Sequence, residues 1–320
     1  AIAGNVQIGN FSGGNTLNAT LQLGADNQIT NTAIVKFDGN NGSTFGYLKL
    51  MGHTVTVAGI TNAAAGTGNS AGIIQNVGSE AGIGSGTLIV SNSADQFYNG
   101  RIRDSFTGSS TLNLTKDGAA KLTLTNQNTV YNTYSGVTTI KGGVLSVSTL
   151  FNGLTASDIG NSANTADKLV LNGGTLQYTG VAVSIDRLFS VGTSGGYLDA
   201  SGSGGLAFTN TGAMGFNSQT GARTLTLTGS GNGTLAAVIG DNSGATVLTK
   251  NGVGTWVVSG VNTYTGGTIV SNGALFVNNS TGSGTGGGTV TVASGGTLGG
   301  TGIIAGAVMV VSGGTLNPTA

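Results

Sequence analysis

Val290-Thr291-Val292-Ala293-Ser294-Gly295-Gly296-Thr297-Leu298 and, a little further on, Val310-Val311-Ser312-Gly313-Gly314-Thr315-Leu316 are two copies of one short unit. A third copy stands upstream as Leu169-Val170-Leu171-Asn172-Gly173-Gly174-Thr175-Leu176. In each, an apolar run passes through a turn into Gly-Gly-Thr-Leu. Alternation of apolar and polar residues sends one set of side chains to a buried face and Thr or Ser to the other, the pattern of a half-buried strand. The spacing from Val292 to Val310 fits one winding of a β-solenoid with two or three short strands per turn. It is too short for a four-stranded propeller blade of ~40–45 residues.

Working outward, the same alternation recurs at Thr54-Val55-Thr56-Val57, Thr87-Leu88-Ile89-Val90, Leu122-Thr123-Leu124-Thr125, Val144-Leu145-Ser146-Val147 and Thr224-Leu225-Thr226-Leu227, separated by Gly, Asn, Asp and Ser. Gly fills 61 of 320 positions, and the single Pro is Pro318. Each Gly inside a helix costs about 0.5–1 kcal/mol relative to Ala, so long helices are disfavoured. Without a G-x-y period, collagen is excluded. The fold class expected is all-β, a parallel β-helix (β-solenoid). At roughly 20–24 residues per winding and ~4.8 Å between windings, the chain would form about 13–16 coils in a rod ~60–80 Å long.

Charge narrows the function classes. Eleven basic and eleven acidic residues cancel, leaving no surplus to neutralise phosphates, so no nucleic acid is expected as a partner. Abundant Val, Ile and Thr argue against disorder. Zero Cys removes disulfides, thiolate metal sites and cysteine nucleophiles. The longest apolar run is Val308-Met309-Val310-Val311, far from the ~18 residues a membrane helix needs, so membrane insertion of this segment is not expected. Ala1-Ile2-Ala3-Gly4-Asn5 has neither a basic stretch nor an apolar run, and no signal peptide is expected there.

A longer repeat is also present. Leu114-Thr115-Lys116-Asp117-Gly118 corresponds to Leu248-Thr249-Lys250-Asn251-Gly252, followed by Lys121-Leu122-Thr123-Leu124 and Thr255-Trp256-Val257-Val258. Thr133-Tyr134-Ser135-Gly136 then matches Thr263-Tyr264-Thr265-Gly266, with four extra residues in the first copy, and Gly143-Val144-Leu145-Ser146-Val147 matches Gly273-Ala274-Leu275-Phe276-Val277. Upstream, Phe97 to Asp104 parallels Leu235 to Asp241. One continuous solenoid over residues 1–320 is expected, with repeat copies at about 86–180 and 223–316 and coils in 1–85 that share the composition but no motif.

Leu248 to Thr268 closely resembles the autotransporter-associated β-strand repeat, also called the passenger-associated transport repeat, and Leu114 to Leu145 looks like a degraded copy. The likeness is strong over about a fifth of the chain and loose over about seven-tenths of it. It implies a segment of a bacterial type V secretion passenger: a right-handed parallel β-helix on, or released from, the outer surface, whose stacking outside the cell helps draw the chain out. Such proteins normally end in a membrane barrel with an aromatic terminal residue, whereas this sequence ends Asn317-Pro318-Thr319-Ala320; it is expected to be a processed piece or a barrel-less relative.

No catalytic, cofactor-binding or metal-binding residues are predicted. His53 is the only histidine, which excludes a multi-His metal site and a His-based triad; a surface or strand-end place is expected for it. The acids Asp26, Asp38, Glu80, Asp95, Asp104, Asp117, Asp158, Asp167, Asp186, Asp199 and Asp241 are scattered singly and read as turn formers, although Asp95 with Asp117, or Asp167 with Asp186, stand about one winding apart. Gly282-Ser283-Gly284-Thr285-Gly286-Gly287 satisfies G-x-G-x-x-G but precedes a strand, so no dinucleotide site is expected. No Asp follows a G-x-G in the Gly-rich stretches, and calcium is not expected. Trp256 is read as core rather than a sugar platform, and Tyr134 and Tyr264 as structural. Arg101 and Arg103, with Lys116, Lys121 and Lys141 nearby, read as a solvated basic face.

The function expected is therefore that of a non-catalytic extracellular structural or adhesive β-helix at the bacterial cell surface. Host or neighbouring-cell surfaces or glycans are the expected partners, and head-to-tail self-association into a fibre is a variant, since an open coil end exposes unpaired backbone groups. The alternative is a polysaccharide-degrading enzyme on the same fold.

Overall fold

The computed structural model describes residues 1–9, 18–38, 45–62, 72–77, 83–105, 110–125 and 131–318. Glu80, the Asp38 side chain and Thr319-Ala320 lie outside the described residues. The described residues form strands two to six residues long and a single 3-10 turn at Ala166–Lys168. The chain is an all-β parallel solenoid. It divides into two compact units, one of Ala1–Leu150 with Leu154–Ala163, the other of Phe151–Gly153 with Asn164–Ala320.

In the second unit, one sheet stacks Thr175–Tyr178, Gly196–Ala200, Arg223–Thr228, Thr246–Lys250, Thr268–Val270, Val290–Val292 and Val308–Val310, all in parallel. A second stacks Val183–Ile185, Leu206–Phe208, Asn232–Leu235, Thr255–Val258, Gly273–Val277, Gly296–Gly300 and Thr315–Pro318. Leu248 lies opposite Thr268, Thr268 opposite Val290 and Val290 opposite Val308, so each winding carries the chain from one of these residues to the next. The same position in every winding therefore adds to a ladder. Leu206, Gly233, Trp256, Leu275, Leu298 and Leu316 form one inward ladder. Leu176, Leu198, Leu227, Lys250, Val270, Val292 and Val310 form another. All but the last member of each are buried.

Trp256 is fully buried, as its strand period requires, and its indole N–H donates to the Thr228 carbonyl at 2.8 Å. Its neighbour one winding back has to be Gly233, because a Cβ there would stand 2.4 Å from the indole ring.

The first unit repeats the plan with longer connections. Its four stacks are Val6–Gly9, Ile34–Asp38 and Gly59–Asn62; then Ala19–Gln22, Gly46–Lys49, Gly72–Val77 and Arg101–Ser105; then Thr54–Val57, Gly86–Ser91, Leu112–Asp117 and Thr138–Ile140; then Gln96–Tyr98, Lys121–Leu124 and Val144–Val147. Val55, Leu88, Leu114 and Thr138 are stacked in register, so the windings run from each of these to the next and shorten along the chain. The uniform winding expected from the sequence is thus too short for the stretch from Val55 to Leu114. Thr54–Val57, Gly86–Ser91 and Leu112–Asp117 are nonetheless only four to six residues long.

Gly233→Ala should destabilise the second unit by more than ~2 kcal/mol through overpacking. Gly287→Ala, where an added Cβ meets nothing within 4 Å, should be neutral. Urea unfolding followed by Trp256 fluorescence reads both.

Candidate functional site: a repeated coil clamp

Strand ladders satisfy the backbone along the flat faces, but the corners between strands need partners from side chains. Each copy of the long repeat supplies these in the same way. Lys116 and Lys250 stand on inward ladders, between Val90 and Ile140 and between Leu227 and Val270. Both are 0% exposed. Their aliphatic stems fill the apolar slot, and the ammonium reaches the corner. Lys116 Nζ donates to the carbonyls of Asp117, Gly118 and Gly142 at 2.6, 3.0 and 3.1 Å. Lys250 Nζ donates to those of Asn251, Gly252 and Asn272 at 2.9, 2.8 and 3.0 Å. Three acceptors match the three N–H donors of an ammonium group, which is how a buried cation avoids an uncompensated desolvation cost. Burial pulls both pKa values down to about 8. The expectation of a solvated Lys116 is corrected: alternation along Leu112–Asp117 points it inward, and the carbonyl cage accepts its charge.

A carboxylate ties the next corner. Asp104 accepts the Leu112 N–H at 2.8 Å, the Ser135 N–H at 3.0 Å and the Ser135 hydroxyl at 2.6 Å. Asp241 accepts the Thr246 N–H at 2.6 Å, the Thr265 N–H at 3.0 Å and the Thr265 hydroxyl at 2.6 Å. For Asp241, burial works to raise the pKa, but the hydrogen bonds from Thr265 and Thr246 outweigh it and hold the carboxyl below its usual value.

Two amides span the windings on either side. Asn132 accepts the Ile102 N–H at 2.7 Å and donates to the Asp158 carbonyl at 2.9 Å. Asn262 accepts the Ile239 N–H at 2.7 Å and donates to the Gly284 carbonyl at 2.6 Å. Tyr134 and Tyr264 are buried and hydrogen-bond Thr138 and Thr268 at 2.8 and 2.6 Å. Over each Tyr lies a glycine turn with positive φ, Gly160 at +74° and Gly286 at +65°. A Cβ on either would stand 2.2 or 2.1 Å from the Tyr carbonyl oxygen. Each turn is closed by a serine, Ser157 donating to the Gly160 carbonyl at 2.9 Å and Ser283 to that of Gly286 at 2.6 Å. Ser283 and Gly286 belong to the stretch that spells G-x-G-x-x-G.

The remaining candidates hold local backbone. Asp158 accepts the Ser148 and Thr149 N–H groups at 2.8 Å each, while burial drives its pKa up to about 7. Asp95 accepts the Lys121 N–H at 2.9 Å, and Asp117 the Gly118 N–H at 2.8 Å. Asp167 lies 3.6 Å from Lys168, and Asp186 accepts from Gly153 and Asn164. Neither pair of acids one winding apart is brought together by these contacts. His53 Nδ1 sits 3.1 Å from Asp26, whose carboxyl is held low first by the Thr54 N–H and then by His53. Among the described residues no group of three His, Cys, Asp or Glu could hold a metal ion, and no helix is long and apolar enough to cross a membrane.

The family model of the passenger-associated-transport-repeat matches residues 114–147 and 248–276, the spans that contain Lys116, Asn132 and Tyr134 in one copy and Lys250, Asn262 and Tyr264 in the other. The chain carries passenger-associated transport repeats. It is also similar to the adhesin BmaC autotransporter of Brucella suis biovar 1 (strain 1330), 44% identical over 139 residues, which are 42% of this chain and 4% of that protein. The chain therefore spans a small part of the length of this relative. No solved structure matches it. In that repeat and that likeness the chain is similar to autotransporter passengers. The clamp reaches beyond the matched residues on both sides, to Asp104 and Asp241 upstream and to Ser157–Gly160 and Ser283–Gly286 downstream.

Asn262→Ala leaves the Ile239 N–H and the Gly284 carbonyl buried without partners and should cost about 2–4 kcal/mol, with Asn262→Asp intermediate, in urea unfolding. Asp158 gives a pH signature. Its folded-state pKa is raised, so its contribution is complete below pH ~4 and is lost as pH rises through about 7. Asp158→Asn should flatten the stability profile across that interval, measured as denaturation midpoint against pH.

Proposed function

We propose that the chain is a non-catalytic segment of an exported passenger that displays an adhesive surface outside the cell. In this reading the coils are right-handed, the hand that about 98% of parallel crossovers adopt. One observation carries it. Both repeat copies direct their lysine, aspartate and asparagine to main-chain groups that include those of a neighbouring winding, and their tyrosine to a threonine hydroxyl, so the side chains that elsewhere do acid–base chemistry here hold the coil. The adhesin likeness supports attachment as the task. The repeat is then a staple that lets newly emerged windings lock onto their neighbours.

Labelled chain should attach saturably to animal-cell monolayers, and antibody should label intact bacteria producing it. Absence of attachment across several cell types would defeat the adhesive reading. Release of reducing ends from uronate or neutral glycans, abolished by an Asp→Asn change, would replace it with the enzymatic one.

A further inference from the structure

In an Asn-Gly pair the side-chain amide reaches the following main-chain nitrogen easily, because glycine puts no Cβ in the way. The pair occurs seven times, at Asn41, Asn99, Asn152, Asn172, Asn232, Asn251 and Asn272; Asn41 lies outside the described residues. The fold treats the other six differently. Gly153 donates its N–H to Asp186 at 2.7 Å, while Asn152 Oδ1 accepts the Asp186 N–H. Gly173 donates to the Gly195 carbonyl at 2.8 Å, and Asn172 Oδ1 accepts from Ser194. Asn99 is buried with its Oδ1 unpartnered, and Gly233 is packed against the Trp256 indole.

Two junctions stand apart. Asn251 and Asn272 are exposed. The Gly252 N–H, at φ +76°, donates to Asn251 Oδ1 at 2.8 Å, and the Gly273 N–H, at φ +64°, donates to Asn272 Oδ1 at 2.8 Å. Among the described residues no main-chain carbonyl accepts the Gly252 N–H. This contact folds each carboxamide back towards the nitrogen that can attack it. One caged ammonium serves both junctions: Lys250 Nζ donates to the main-chain carbonyls of Asn251 and Asn272 at 2.9 and 3.0 Å. Those carbonyls belong to the peptide groups whose nitrogens are Gly252 and Gly273. A peptide N–H that loses its proton places much of the new charge on its carbonyl oxygen, where a fixed cation stabilises it. In the other repeat the residue equivalent to Asn251 is already an acid. Asp117 Oδ1 accepts the Gly118 N–H at 2.8 Å beside Lys116, so this corner accepts a carboxylate.

We propose that Asn251 and Asn272 are self-modifying sites at which Lys250 promotes the loss of ammonia. The glycine nitrogen gives up its proton and bonds to the asparagine Cγ. The carboxamide nitrogen leaves with that proton as ammonia, and a five-membered succinimide remains. Water then opens the ring. Cleavage of the new bond gives aspartate, the residue that Asp117 already supplies in the first copy, and cleavage of the main-chain bond gives isoaspartate, which lengthens the backbone by one carbon. No oxidant or cofactor takes part. Lys250 meets the Asn272 carbonyl only across windings, so the reaction marks chain that has coiled and adds negative charge beside its buried cation.

The test is peptide mapping by mass spectrometry of the purified chain, incubated folded at neutral pH and, in parallel, unfolded in urea. Amide-to-acid conversion at Asn251 and Asn272 should run about tenfold or more faster than at Asn152 and Asn172 in the folded chain. It should also outpace conversion of the same two residues in urea, where Lys250 is displaced and the Asn-Gly pairs react alike. Lys250→Met should slow both sites about tenfold or more in the folded chain and leave the rates in urea unchanged. Lys116→Met, which strands the matching cage in the first unit, should leave Asn251 and Asn272 at the wild-type rate. The folded-against-urea comparison needs no substitution and decides the matter if Lys250→Met does not fold. Folded rates at or below those in urea, conversion of Asn172 as fast as that of Asn251, or an unchanged rate in folded Lys250→Met would overturn the proposal.

Discussion

Everything in this fold depends on one constraint: each winding must satisfy its backbone on the windings above and below. A parallel strand has no hairpin partner, so its N–H and C=O groups go to residues a whole winding away, as from Val290 to Val308 or from Val55 to Leu88. Flat stretches meet this demand with ladder hydrogen bonds whatever the side chains. Corners do not, because there the chain bends and its carbonyls and amides point away from the ladder. The Lys, Asp and Asn that recur with the transport repeat are the side-chain answer to that shortfall.

This explains why a chain with so few charges buries two lysines. An ammonium with three carbonyl acceptors has all its donors satisfied, and its stem packs like an aliphatic side chain. Replacing it by an apolar residue would keep the packing and strand three carbonyls. Likewise, the carboxylates of Asp104 and Asp241 each gather two N–H groups and a hydroxyl from different windings. Charged groups used in this way stabilise one register over its neighbours, since a slip of the coil would leave every one of them without its partners.

Outward positions stand outside the interior ladders. The same stacking that builds buried ladders brings Tyr47, Lys49, Arg101 and Arg103 onto one surface. Such a surface can change residue by residue without disturbing the interior.

The all-β class, the strand positions, the solenoid and the two transport repeats were legible in the sequence, because side-chain alternation with period two and the recurrence of Gly-Gly-Thr-Leu are local and follow directly from strand geometry. The inward place of Trp256 and the structural place of Tyr134 and Tyr264 were legible for the same reason. The burial of Lys116 and Lys250 was masked because charge outweighs period in any reading of a single strand, and the cage that receives them comes partly from another winding. Asn132, Asn262 and the Ser157–Gly160 and Ser283–Gly286 turns carried only a faint signal, their paired recurrence after each repeat. Winding length in the first unit, the bridging by Asp104 and Asp241, and the meeting of Tyr47 with Arg103 were decided by tertiary structure alone: they depend on which residues fall into register one turn of the coil apart, and connections of unequal length set that register.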